Sequence, residues 1–185
     1  IDVRIGKIYL RLSKPAKALE FFESANFKSM EDGEAYLGLA QASLRLGRLL
    51  RARSHAKTAL QTDPDLIEAH LVIAKVDDRG GQIEKARQRY GDLLKNQPES
   101  EKLIVAYAQF LGDRNDVKAA TELLERYVTR HPMAAEAQDA LGQLYWRMDK
   151  KDAAIRLRKS AAEAFKSEGN LYRAGVITAW IARID

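Results

Sequence analysis

An all-α solenoid of stacked helix-turn-helix units, each 34 residues long, is the fold class this sequence predicts, on three observations. Pro64, Pro98 and Pro132 each stand 34 residues from the last. An unbroken alanine column runs through Ala18, Ala52, Ala86, Ala120 and Ala154. A second column of small residues runs through Gly6, Ala40, Ala74, Ala108 and Gly142. With only 11 Gly and 4 Pro, the chain has little room for the many turns of a β-sandwich or barrel.

Counted from Gly33, the units are 1–32, 33–66, 67–100, 101–134 and 135–168, with a remainder at 169–185. The first unit is incomplete at its start, so the chain is expected to be a segment of a larger protein. Within a unit the first helix is marked by apolar residues at helical spacing, as in Tyr36, Leu39, Ala40 and Leu44. A short break follows, Leu46-Gly47-Arg48 or Arg79-Gly80-Gly81, where glycine can end that helix in the left-handed conformation. The second helix reads Leu49, Ala52, Ala56, Ala59 and Leu60, and Pro64 or Pro98 stops it. Each unit is therefore a helical hairpin. Position seven of the unit stays large in Ile5, Leu39, Ile73, Tyr107 and Leu141. Position 24 is large in Phe22, Tyr90 and Leu124, with Ala56 and Arg158 as exceptions. Small residues let the two helices of a hairpin approach, and large ones fill the space between successive hairpins. Since one hairpin cannot bury its own apolar face, stability must come from stacking. The remainder carries Tyr172, Val176, Ala179 and Trp180 on one further first helix. That helix either closes the last apolar face or presents Trp180 to a partner.

Composition excludes several functions. There is no cysteine, so disulfides, thiolate metal sites and cysteine nucleophiles are absent. No apolar run reaches the length of a spanning helix. Cytoplasm and periplasm both suit such a chain. The 31 basic residues against 26 acidic ones give a formal charge of +5, which favours anionic partners without demanding nucleic acid. His55, His70 and His131 are scattered over different unit positions and form no helical pair for zinc. His70 and Asp77 share a helix face and read as satisfied core residues or a hydrogen-bonded pair rather than as a metal or catalytic one. No catalytic constellation, metal site or cofactor motif is present, and no enzyme activity is expected.

These columns resemble the tetratricopeptide repeat family over the whole chain. The family's bulky residue, small residue and aromatic in the first helix match Ile5-Gly6 and Tyr9, and its second-helix pattern matches Ala18, Phe22 and Ala25. The next unit matches with Tyr36, Leu39-Ala40, Gly47, Ala52, Ala59 and Pro64. Ser43 and Asp77 depart from the pattern where an aromatic is usual, as does Arg158, and Met30 and Lys166 replace proline. The resemblance implies a right-handed superhelix whose first helices line a concave wall, and a non-catalytic scaffold that binds a peptide, helix or protein surface there.

Mapped onto this sequence, the wall carries an apolar column, Val3, Leu37, Leu71 and Val105, that ends at Asp139. Beside it run Lys7, Gln41, Lys75, Gln109 and Gln143, and Lys102 and Trp146 belong to the same face. Arg11, Arg45, Arg79 and Arg147 stand at the helix ends, interrupted by Asp113. A cation in a last turn complements its own helix dipole by about 0.3–1 kcal/mol. The expected partner combines apolar and acidic groups. The two-carboxylate clamp by which some family members hold chaperone tails is reproduced in no register. A convex basic patch, Arg48, Arg51, Arg53 and Lys57, offers an alternative occupant, an anionic polysaccharide in an envelope export system. The patch holds no aromatic residue to stack on bases, which disfavours nucleic acid. The Ala- and Arg-rich units give the chain a bacterial look.

Overall fold

The computed structural model describes residues 1–28 and 32–184, and within them lie eleven helices and no strand. They are α1 (Asp2–Arg11), α2 (Pro15–Lys28), α3 (Gly33–Arg45), α4 (Leu49–Thr62), α5 (Ile67–Arg79) and α6 (Ile83–Asn96). The remaining five are α7 (Glu101–Asp113), α8 (Val117–Arg130), α9 (Ala135–Arg147), α10 (Lys151–Ser167) and α11 (Leu171–Ile181). First helices begin at residues 33, 67, 101 and 135, and second helices at 15, 49, 83, 117 and 151, so these starts repeat at the 34-residue step, whereas α11 begins two residues past it. The fold is all-α, as expected.

Local chemistry fixes the helix ends. The side chains of Asp32, Ser100, Asp116 and Asn170 accept hydrogen bonds from backbone N–H groups three residues on, each satisfying one orphan donor of a first turn. Between the helices of each hairpin the chain turns through one residue of positive φ: Ser13, Gly47, Gly81, Asn115 and Asp149, at 55°, 72°, 78°, 62° and 58°. Gly80 is the other glycine of its break, but its φ is −80°, and Gly81 makes the turn. Elsewhere Asn and Asp take the position because their short side chains tolerate the left-handed region. Lys166 stands where proline is usual, and α10 runs on to 17 residues, against 14 in α4, α6 and α8. Met30 lies outside the described residues.

The chain divides into two compact units, Ile1–Leu93 and Leu94–Asp185. In the first, α1 packs on α2 and α3, and α3 packs on α4 and α5. One core there gathers Leu10, Ala18, Phe22, Leu39 and Ala42, and the next gathers Ala52, Ala56, Ala59, Val72 and Val76 among others. In the second unit, α7, α8, α9, α10 and α11 pack in succession, and α11 sets Ala174, Ile177 and Ile181 against Ala161 and Phe165.

The alanine column lies at the helix crossings: Ala18, Ala52, Ala86, Ala120 and Ala154 are all fully buried. Phe22 explains the glycines around it. A Cβ on Gly6 would come within 2.7 Å of its ring, and one on Gly38 would fall inside the ring's own contact distance. Gly38→Ala is therefore expected to lower unfolding stability by about 1–3 kcal/mol through overpacking. At Gly91, on the other hand, a Cβ meets nothing within 4 Å. Gly91→Ala should raise stability by about 0.5–1 kcal/mol through helix propensity alone. Denaturant titration of the two variants checks the pair, and equal midpoints would contradict the packing described.

Candidate functional site

In the first unit the face carried by α1, α3 and α5 mixes apolar and polar side chains. Leu71 is only 7% exposed, and Val3 and Leu37 are half-buried against the two cores, so the apolar column mainly packs within the unit. Its polar neighbours reach outward: Lys7 and Lys75 are exposed and Gln41 is half-buried. Lys7 meets Glu34 of the following hairpin at 3.0 Å, with both side chains at least half in solvent. Such a pair contributes little to stability and exchanges readily.

The arginine series has a role that sequence reasoning missed. Arg45 donates to the Leu10 carbonyl, and Arg79 donates to the Leu44 carbonyl at 2.7 Å, each reaching back 35 residues to the last turn of the preceding first helix. In the second unit Arg147 does the same to the Gly112 carbonyl at 3.1 Å. Each guanidinium thus satisfies an orphan carbonyl of its neighbour rather than only complementing its own helix. Arg11 forms no hydrogen bond or ion pair among the described residues, and Asp113 has no donor to offer at this position.

The basic patch on the second-helix side loses one member. Arg48, Arg51 and Lys57 are exposed on or beside α4, but Arg53 turns inward to the Asp77 carboxylate at 2.6 Å. Arg89 of α6 holds the other carboxylate oxygen at 3.2 Å. Asp77 is fully buried in the position where an aromatic is usual. Burial pushes its carboxyl up, but the hydrogen bonds and charges of Arg53 and Arg89 together outweigh this and hold it below the usual carboxylate value. His70 therefore does not pair with Asp77; its Nε2 donates to the Pro64 carbonyl at 2.8 Å. Burial, aided by the Arg51 charge, lowers the His55 imidazole below its ordinary value. His131 lies at 2.6 Å from the Glu99 carboxylate. No His, Asp and Glu group among the described residues is placed to hold a metal ion.

In the second unit Val105 is 9% exposed, whereas Lys102 and Gln109 lie on the surface of α7. The apolar column ends at Asp139 because that carboxylate accepts from Arg158 at 2.8 Å and from Gln143 at 2.9 Å. Arg158 occupies the large-residue position of α10 and is buried there, with its guanidinium 3.9 Å from the centre of the Trp180 ring. Trp180 in turn meets Trp146 edge-on at 4.9 Å. Both tryptophans are half-buried, so neither stands free on the surface. An Asp in the apolar column and an Arg in the aromatic column were two departures in one unit, and their coincidence was the sequence signal for the pair.

A sequence profile of the family described as Tetratricopeptide repeat matches residues 9–76 and 44–109. No curated protein matches the chain by sequence. Among solved structures, a thermophilic TPR protein from Thermus thermophilus is similar at 22% identity and a TM-score of 0.74, covering 98% of this chain and 97% of that one. A tetratricopeptide repeat protein from Parabacteroides merdae is similar at 16% identity and 0.62, covering 98% and 77%. YrrB, a TPR protein with an unusual peptide-binding site, is similar at 13% identity and 0.52, covering 96% and 90%. The first two come from bacteria, in keeping with the bacterial look of the sequence.

The buried carboxylate yields a test within the first unit. Its partners Arg53 and Arg89 are 25% and 30% exposed, so both can rehydrate when the acid is removed. Asp77→Ala is accordingly expected to cost about 2–3 kcal/mol, below the figure of about 3–5 for a wholly enclosed pair. Because the folded carboxyl titrates below its unfolded value of about 4, its contribution is full above about pH 4. It is lost as the pH falls through the folded value. Asp77→Asn should remove that part of the acid sensitivity, and unfolding curves that fall identically on acidification in both proteins would contradict the assignment.

Proposed function

This chain belongs to the tetratricopeptide repeat family, and on that premise we propose that it is a non-catalytic scaffold that holds a partner peptide or helix on the first-helix face of its hairpins. The family's fold supports an interaction scaffold in general terms. The observation that carries the finer reading is the column Lys7, Gln41 and Lys75 in the first unit, which projects polar groups at the repeat spacing beside the half-buried Leu37. In the second unit Gln109 and Gln143 are exposed at the same helix position, and Lys102 stands in the first turn of α7. The partner combines acidic residues with small apolar anchors, since Leu71 and Val105 leave little apolar surface to cover. Charge steers its approach and orientation, and contact with Leu37 and Val3 contributes the desolvation. A peptide-binding site is named for YrrB, which has the same fold. Leu71 is a poor probe of binding, because Asp in its place would disrupt the unit itself.

A photocrosslinking amino acid placed at Gln41 and, separately, at Lys57 separates the readings. The expected outcome is crosslinking from position 41 to an acidic protein segment, competed by that segment as a synthetic peptide and weakened by salt. Crosslinking from position 57 alone, to an anionic polymer and indifferent to peptide, would replace this reading with polysaccharide binding at Arg48, Arg51 and Lys57.

A further inference from the structure

The second-helix side of the second unit carries a surface that the first-helix reading does not use. Helices α8 and α10 form the walls of an open trough of about 510 Å³. Its apolar lining comes from Val128 on α8, Leu141 on α9 beneath, and Ala153 and Leu157 on α10. The trough continues past Glu125 into a second hollow of about 480 Å³, bounded by Val117, Thr121 and Met148. Helix α8 is 14 residues long, and at about 1.5 Å per residue the walls match a partner helix of three to four turns.

Charge determines what can lie there. Glu125 accepts a hydrogen bond from the Tyr145 hydroxyl, and Lys118 pairs with Glu122 along α8. Burial and the neighbouring Glu125 carboxylate push the Tyr145 phenol up to about 12, so the hydroxyl stays a donor and Glu125 stays fixed. On the opposite wall the cations are uncommitted. Arg156 is exposed and forms no hydrogen bond or ion pair among the described residues. Lys150 is exposed as well and makes only a cation-π contact, 5.0 Å from the centre of the Tyr145 ring. The α10 N-terminus at Lys150 has no side-chain cap, which adds partial positive charge at the same end.

We propose that this trough docks an amphipathic helix of a partner protein, with its apolar face on the half-buried Val128, Ala153 and Leu157 and a row of acidic residues along the α10 wall against Arg156 and Lys150. Glu125 repels acid from the α8 wall, so the acidic row runs along one flank only, and this sets the orientation of the bound helix. Such helix-in-groove recognition takes its specificity from anchors at i, i+3, i+4 and i+7. The inference stands apart from the first-helix reading and uses none of its residues.

Two 14-residue peptides test it against the intact chain. Both carry leucine at the anchor spacing, one with glutamates along one flank and the other with lysines at the same positions. Titration is followed by backbone amide shifts. The glutamate peptide is expected to saturate and to move the amides of Val128, Tyr145 and Leu157, and the lysine peptide to bind more weakly. Arg156→Glu combined with Lys150→Glu should weaken the glutamate peptide by at least about tenfold. Ser160→Trp, at an exposed position lining the trough, should block it sterically while leaving both cations in place. Absence of saturable binding overturns the proposal. So do equal affinity for the two peptides, an unchanged affinity in the double variant, or shifts confined to the first-helix face around Gln109 and Gln143.

Discussion

Every hairpin depends on its two helices approaching until a methyl group is the largest side chain that fits between them. The alanines at 18, 52, 86, 120 and 154 have no exposed surface, and a Cβ on Gly142 of α9 would come within 3.2 Å of the Ala154 carbonyl. That constraint fixes the rest. With the helices this close, the large residue one turn further along the second helix has a defined cavity to fill. Phe22 fills it over Gly6 and Gly38, Tyr90 and Leu124 fill it elsewhere, and Arg158 fills it over Gly142. A buried arginine is acceptable there because Asp139 and the Trp180 ring replace the water it loses.

Successive hairpins within a unit are then joined by polar ties at helix ends. The arginines of α3, α5 and α9 cap carbonyls of the preceding first helix, and Glu101 accepts from the Ala137 N–H at the start of α9. Arg173 likewise reaches Glu136 at 2.7 Å. These groups sit on the face where a partner is proposed to bind, and the two roles draw on different parts of it. The arginines at the helix ends are engaged within the array. The proposed recognition surface is the lysine and glutamine column nearer the middle of the same helices, together with half-buried Leu37. Charge that looks available in a sequence can therefore be committed in the fold, and Arg53 shows it most directly by turning from the basic patch to Asp77.

Much of this was legible in the sequence because a period of 34 residues makes each helix a repeat observation of the others. The buried alanine column and the breaks between the helices of a hairpin followed from registered small residues. What did not follow was the geometry of single polar side chains. Nothing in the spacing of Arg45 or Arg79 distinguishes a bond to the neighbouring helix from a dipole contact with its own, since both place a cation in the last turn. The apolar column was overread for the opposite reason. Leu71 and Val105 repeat as a face should, but repetition reports packing between neighbours as readily as exposure to a partner. The left-handed turn residues show a middle case: Gly47 was readable, whereas Ser13, Asn115 and Asp149 adopt the same φ without glycine's signature.

With each hairpin closed by its alanine crossing, the arginines tie successive hairpins together, and comparison of two substitutions measures this most directly. Arg79→Met keeps the long side chain and its packing but removes the bond to the Leu44 carbonyl, whereas Arg11→Met removes a cation from the same helix position with no carbonyl to lose. Denaturant unfolding at moderate salt should show a loss of about 1 kcal/mol for Arg79→Met and almost none for Arg11→Met. Equal losses in the two variants, or an unchanged midpoint for Arg79→Met, would mean that these arginines serve only their own helix dipoles.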